Sequence, residues 1–400
     1  MSPVKLSARV ATLQPSATLA MVARVKELKA EGVEVLDLTA GEPDFGPPSC
    51  AEAAAKDAIN AGLGRYTAAA GLPELREAAA GLAKETTGLN WSADQLLVTT
   101  GAKLGICQAL MALVENGDEV LFPVPCWTSY PEMVQLAGGV PVPVQCGEDH
   151  LPSVEDLAAA TSERSKVLLI NTPCNPTGAV YPKALLEEIG KWALKNGIAI
   201  ISDEIYAAMT FGGAKHVSPI AVLPELREQS IWVGGMSKAF AMTGWRMGFL
   251  GGSSSIITKL AGLQSQLASS PPAISQYASI AALRDGTEDC LKMHSAFEKR
   301  CDLVSKALAT MPGVDCPQPQ GAFYAFPGFG HFLGKTDSET GKQIQSGDDL
   351  AELLLEADRI AVIGGSAFGK PDAIRLSFAT SESVLQTALE RLAARLNKLS

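Results

Sequence analysis

The sequence has no apolar run approaching the ~18 residues that a membrane-spanning helix needs, which predicts a soluble chain. It has no Cys-x-x-Cys pair. Its eight cysteines fall irregularly, at 50, 107, 126, 146, 174, 290, 301 and 316. Such spacing fits reduced thiols in an intracellular protein, and neither a disulfide framework nor a zinc site. Histidine is scarce: His150, His216, His294 and His331 are the only four, and none has ligand spacing, so no metal centre is expected. No basic patch dominates and the net charge is −10, which argues against nucleic acid as a partner. No G-x-G-x-x-G opens a helix after the first strand, so "GGSSS" (251–255) does not mark a dinucleotide site. Repeats and low-complexity tracts are absent too.

What is present is a large apolar fraction. Hydrophobic residues make up 47% of 400 and charged residues 19%, enough to bury the cores of two domains. From about 95 to 252, β-type runs alternate with helical stretches: "QLLVTT" (95–100), "DEVLFP" (118–123), "SKVLLIN" (165–171), "GIAIISD" (197–203), "SIWVGG" (230–235) and "MGFLGG" (247–252). Four are continuously apolar, as strands buried on both faces are, so a largely parallel sheet covered by helices is expected. "PKALLEEIGKWALKNG" (182–197) opens with Pro and closes at Gly, as a helix does. After about 255 a helix-rich stretch and then short mixed units predict an α+β second domain.

Ligands of parallel sheets bind outside the carboxyl ends of the strands. Gly101, Ala102 and Lys103 stand at a strand-to-helix turn, where free backbone N–H groups favour phosphate, though most such turns bind nothing. Asn171 and Asn175 sit in the Pro-fixed loop "NTPCNPTG", which also reads as a plain turn. Asp203 ends an apolar strand, where it either meets a cation or caps a helix, and Tyr206 would follow one helical turn later. "SKAFAMTGWRMG" (237–248) holds Lys238 among apolar residues with Arg246 nearby. Apolar surroundings and a neighbouring cation lower a lysine's pKa, leaving the neutral amine that reacts with an aldehyde. A phosphate cradle (Gly101, Ala102, Ser237, Arg246), a reactive lysine, a carboxylate for a pyridinium nitrogen and donors for a ring oxygen are together what pyridoxal phosphate requires.

The same residues stand in motifs that run through nearly the whole chain: "QPSAT" (14–18), "LTAGEPDF" (38–45), "RYTAAAGLPELREA" (65–78), "WTSYPEM" (127–133), "NPTGAVYPK" (175–183), "SDEIY" (202–206), "GAFY" (321–324), "GSAFG" (365–369) and "IRLSFATS" (374–381). In these the chain resembles the class I pyridoxal-phosphate aminotransferases of fold type I. It is most similar to the bacterial and plastid aspartate aminotransferase subgroup, some of whose members also act on prephenate. The resemblance implies an α/β fold with a mostly parallel seven-stranded sheet in a large domain (46–290), a smaller α+β domain (291–400) and an N-terminal arm (1–45) packed on the latter. It implies pyridoxal 5'-phosphate as cofactor, amino acids and 2-oxo acids as substrates, a homodimer with shared active sites and a cytoplasmic location. Because "PSAT" belongs to the arm, residues 1–25 are expected to be mature sequence.

The resemblance also implies roles. Lys238 bonds the cofactor aldehyde and moves the proton, Asp203 holds the pyridine N–H, and Asn175 and Tyr206 bond the ring oxygen. Trp127 stacks on the ring. Gly101, Ala102, Ser237 and Arg246 hold the phosphate, and Tyr66 reaches the phosphate of the neighbouring subunit. Arg375 clamps the substrate α-carboxylate as a bidentate fork, beside Gly41. Lys103 helps bind a distal carboxylate, which favours aspartate and glutamate. Two positions depart from the subgroup. Gln14 stands where prephenate-competent members carry lysine. Cys126 replaces an aromatic, and the smaller thiol is expected to leave room for a bulky side chain, which keeps aromatic amino acids in view. The alternative is an aromatic amino acid (tyrosine/phenylalanine) or prephenate aminotransferase; a carbon–sulfur lyase on the same fold, in which Lys103 would have little purpose, ranks below it.

Overall fold

The computed structural model describes residues 4–11, 13 and 17–400. Gln14 and the Pro15 and Ser16 of "PSAT" lie outside the described residues. Seven strands form the main sheet: β1 (Leu96–Thr100), β2 (Glu119–Val124), β3 (Val140–Gln145), β4 (Ser165–Asn171), β5 (Ala199–Asp203), β6 (Ser230–Gly235) and β7 (Met247–Gly251). Their order is β1-β7-β6-β5-β4-β2-β3, and β7 alone runs against its neighbours.

The period of two along each strand sends side chains to two separate cores. Leu96, Leu168, Ile200, Trp232 and Phe249 face one layer of helices, including Pro73–Thr87 and Lys183–Asn196. Leu97, Val167, Ile201 and Leu250 face the other, including Gly101–Leu113 and Ser254–Leu267. The helix read at 182–197 runs over Lys183–Asn196 and ends where Gly197 turns left-handed at φ 65°. β3 is the strand that composition hides. Its "VPVPVQ" carries Pro141 and Pro143, which a sheet tolerates at an edge, and there it lies, paired only with β2.

A further apolar core joins Phe297, Phe323, Leu350, Leu376 and Leu389. They come from the helices Thr287–Ala309, Gly347–Asp358 and Glu382–Leu396, from a small antiparallel sheet of Tyr324–Ala325, Ile363–Gly364 and Ile374–Ser377, and, for Phe323, from the turn before its first strand. The helix Thr287–Ala309 runs unbroken through the boundary expected at 290. The early segment Leu36–Asp37 pairs with Ile360–Ala361, and the helix Ala17–Ala30 lays Val25 and Leu28 against Leu355. No helix among the described residues is long and apolar enough to cross a membrane. All eight cysteines are free thiols.

The last helix is pinned by Arg395, whose guanidinium bonds Asp358 (2.8 and 3.0 Å), Asp337 (3.0 Å) and Glu339 (3.1 Å). Burial pushes the Asp337 carboxyl up, but the backbone N–H of Thr340 and Arg395 outweigh it and hold it at about 2. Its folded value lies below the unfolded ~3.9, so this stabilisation is present above about pH 4 and is lost as pH falls toward 2. Arg395→Leu leaves the buried Asp337 without its cation and is expected to cost about 3 kcal/mol in urea unfolding at neutral pH. A loss under about 1 kcal/mol would show the cluster to be a solvated ion pair instead.

Candidate active site

The carboxyl ends of β1, β2, β4, β5 and β6 lie at one edge of the sheet, and β7, being antiparallel, begins there. Gly235 pairs with Gly248, so the connection carrying Ser237, Lys238 and Arg246 stays at that edge. Thr100 pairs with Met247, which sets Gly101 beside Arg246. All the expected site residues except Gly101 and Tyr66 line one cavity of about 280 Å³. Gly101 lies just behind it at φ +81°, and a Cβ there would stand 2.5 Å from Arg246 Nη2. Only glycine lets the helix N-terminus and the guanidinium come together, and the pair suits a phosphate.

Lys238 Nζ donates to the Gly41 carbonyl at 2.5 Å and lies 5.9 and 5.8 Å from the rings of Tyr206 and Phe323. Burial brings its pKa down to about 8. Glu42 opposes the shift, while Arg375 and Arg246 add to it. Asp203 is 3% exposed. Burial raises its carboxyl to about 6, although the Tyr130 hydroxyl, donating to Oδ2 at 2.7 Å, works against the rise. Oδ1 accepts from the Ile205 backbone N–H at 3.3 Å, yet no helix follows: residues 205–208 form a turn. Tyr206 therefore does not sit one helical turn on, and Asp203 is no helix cap. The turn places the buried Tyr206 hydroxyl 3.1 Å from that of Tyr324.

Arg375 is 2% exposed and bonds no carboxylate among the described residues. Its Nη1 and Nη2 donate to Asn175 Oδ1 (3.2 Å) and the Thr39 carbonyl (2.9 Å), and its Nε has no partner among the described residues. Tyr324 and Phe368 face the guanidinium, 4.4 and 5.1 Å from ring to Cζ. A buried cation held only by neutral groups awaits an anion. Asn171 accepts from the Asn175 backbone N–H at 2.8 Å and donates to the Asp203 carbonyl at 2.9 Å, tying the Pro-rich loop to β5. Lys103 donates to Ser129 Oγ at 3.2 Å with its Nζ 4.8 Å from the Trp127 ring. Partial desolvation lowers its pKa, and Arg246 adds to that against Cys107.

Cys126 does not line the cavity: it is buried in the core behind it, and its backbone N–H bonds the Phe368 carbonyl at 3.1 Å. A smaller residue there does not widen the substrate space. Tyr66 is 90% exposed, away from its own chain's cavity. Tyr130 and Tyr324 do line it. They stand in "WTSYPEM" and "GAFY", but sequence alone does not show which way those side chains point.

A low-basicity lysine, a buried carboxylate and a carboxylate-free arginine around one cavity define an enzyme that handles amines of small anionic molecules. Comparison gives the family. Residues 33–392 match the family described as aminotransferase class I and II, and the chain belongs to it; it is a transaminase. It is 42% identical to an aspartate aminotransferase of Geobacillus stearothermophilus, over 97% of this chain and 98% of that one. The crystal structure of the aspartate aminotransferase from Rhizobium meliloti superposes with a TM-score of 0.95 at 39% identity, covering both chains fully. The aspartate aminotransferase from Thermus thermophilus with maleate gives 0.90 at 38%, covering 98% of this chain and all of that one.

Proposed function

We propose that the chain is a pyridoxal-phosphate-dependent aminotransferase whose preferred substrates are aspartate, glutamate and 2-oxoglutarate. The observation that carries the substrate class is that two cations, Arg375 and Lys103, line one cavity and neither is paired with a carboxylate among the described residues. A dicarboxylate satisfies both. The names of the relatives and the maleate in the Thermus protein point the same way.

The residues fit the cofactor. The Gly101–Ala102 helix start, Ser237 and Arg246 would hold its phosphate, Asp203 its ring nitrogen, Asn175 and Tyr206 its ring oxygen, Trp127 its face and Lys238 its aldehyde. When bound, pyridoxal phosphate supplies a carbonyl that takes up amino groups and a ring that accepts an electron pair. The chain supplies the rest. Arg375 orients the α-carboxylate, Lys238 carries the proton and the aromatic walls exclude water. The exposed Tyr66, a few residues after the exposed Ile59 and Leu63, supports a homodimer in which this segment meets a second copy.

Lys103→Ser tests the substrate class. A charge-assisted bond contributes ~1.5–3 kcal/mol, so kcat/KM for aspartate should fall about tenfold to a hundredfold, with phenylalanine little changed. The panel uses 2-oxoglutarate as acceptor and, with glutamate as donor, includes prephenate, another dicarboxylate. Equal losses for aspartate and phenylalanine would make Lys103 a cofactor or folding residue, and an aromatic amino acid the better candidate. Pyruvate and ammonia released from a cysteine conjugate without an acceptor would indicate the lyase.

A further inference from the structure

We infer that Tyr130 is a positioning residue for the reaction: its hydroxyl fixes the Asp203 carboxylate against the ring nitrogen of the cofactor. This rests on the reading of Asp203 given above.

Tyr130 opens the short helix Tyr130–Leu136, 73 residues from Asp203 in sequence, yet it is 2% exposed and its hydroxyl lies 2.7 Å from Asp203 Oδ2. Among the described residues Asp203 has one other donor, the Ile205 N–H at 3.3 Å on Oδ1. The tyrosine bond is the shorter and comes from a different element, so it fixes how the carboxylate turns about its own axis. Burial works against the charged form of Asp203, and the phenol is foremost among the groups restoring it. Donation to a carboxylate also keeps the phenol protonated, and burial raises the Tyr130 pKa well above its ordinary value.

The ring and the hydroxyl of Tyr130 have separate tasks. The ring meets Trp127 edge-on, with centroids 5.5 Å apart at 83°. Tyr130→Phe keeps that contact and the buried volume and removes only the donor. Without it, Asp203 has a single weak donor, binds a proton more readily and is freer to rotate. Both changes weaken its pairing with a ring N–H.

The test measures dissociation constants for pyridoxal phosphate and for an analogue with CH in place of the ring nitrogen. Wild type, Tyr130→Phe, Asp203→Asn and the double variant are compared, together with kcat. Tyr130→Phe is expected to weaken the native cofactor about tenfold, to leave the analogue unchanged and to add nothing in the Asp203→Asn background. Turnover should fall by a similar factor with little change in the KM for the amino donor. Equal weakening of both cofactors, or full additivity with Asp203→Asn, would show that Tyr130 only packs. An unchanged Tyr130→Phe beside a weakened Asp203→Asn overturns the inference alone. An unchanged Asp203→Asn overturns the reading of Asp203 as well.

Discussion

Lys238→Ala is expected to abolish transamination, lowering turnover by ~10⁴-fold or more. The change removes two contributions from one atom. On the proposed reading Nζ would be both the covalent anchor for the cofactor aldehyde and the proton carrier in the cavity; general acid–base catalysis alone is worth ~10²–10⁴-fold. The surroundings serve both tasks. Nζ sits between the Gly41 carbonyl and two aromatic rings, and burial brings its pKa down to about 8. The neutral amine therefore becomes available as pH rises through about 8 rather than through the ~10.4 of an ordinary lysine. Uptake of pyridoxal phosphate by cofactor-free protein should accordingly speed up toward pH 8 and level off above it. Borohydride reduction of the loaded protein should leave a phosphopyridoxyl group on the peptide containing Lys238. An adduct on another lysine, or more than about one per cent of wild-type turnover in the alanine variant, would contradict the assignment.

Much of this was legible in the chain because the chemistry sits where strands end. Runs such as "SKVLLIN" and "SIWVGG" are apolar throughout because both faces are covered, and the structure has β4 and β6 over just those residues. A sheet with known strand ends already brings Gly101, Asn175, Asp203 and Lys238 to one edge. Arg246 follows because β7 is antiparallel, which its sequence does not announce. β3 was hidden by its alternating prolines, which mimic a loop and are tolerated only because the strand is an edge. The turn after Asp203 was hidden for a different reason. "SDEIY" has the composition of a helix start, and tertiary packing of Tyr206 against Phe323 and Tyr324 sets its backbone instead. Tyr130 and Cys126 show the same limit at the scale of side chains. They lie four residues apart in one segment, yet one reaches Asp203 and the other is buried behind the cavity. That difference arises from contacts with β5 and with Phe368, both distant in sequence.

Arg375→Leu is expected to lower kcat/KM about 10²–10³-fold for every amino acid and 2-oxo acid alike. All of them carry the α-carboxylate, and on the proposed reading Arg375, a buried cation lining the cavity, would receive it. The magnitude follows from what the cavity offers instead. A carboxylate entering beside leucine would lose a two-pronged charge-assisted bond, each prong worth ~1.5–3 kcal/mol. Non-additivity keeps the total near 3–4 kcal/mol, which corresponds to the stated factor. The guanidinium is held now by Asn175, the Thr39 carbonyl and the faces of Tyr324 and Phe368, with Nε unpaired. Leucine retains part of the packing against those rings but frees Asn175 Oδ1, so the cofactor dissociation constant must be measured alongside. A simple alkylamine, which has no carboxylate, provides the control. Its slow half-reaction with the loaded enzyme should be unchanged by Arg375→Leu within about twofold. A loss as large for the alkylamine as for aspartate would mean that Arg375 supports the cofactor through Asn175. A loss confined to aspartate and glutamate would exchange the roles of Arg375 and Lys103.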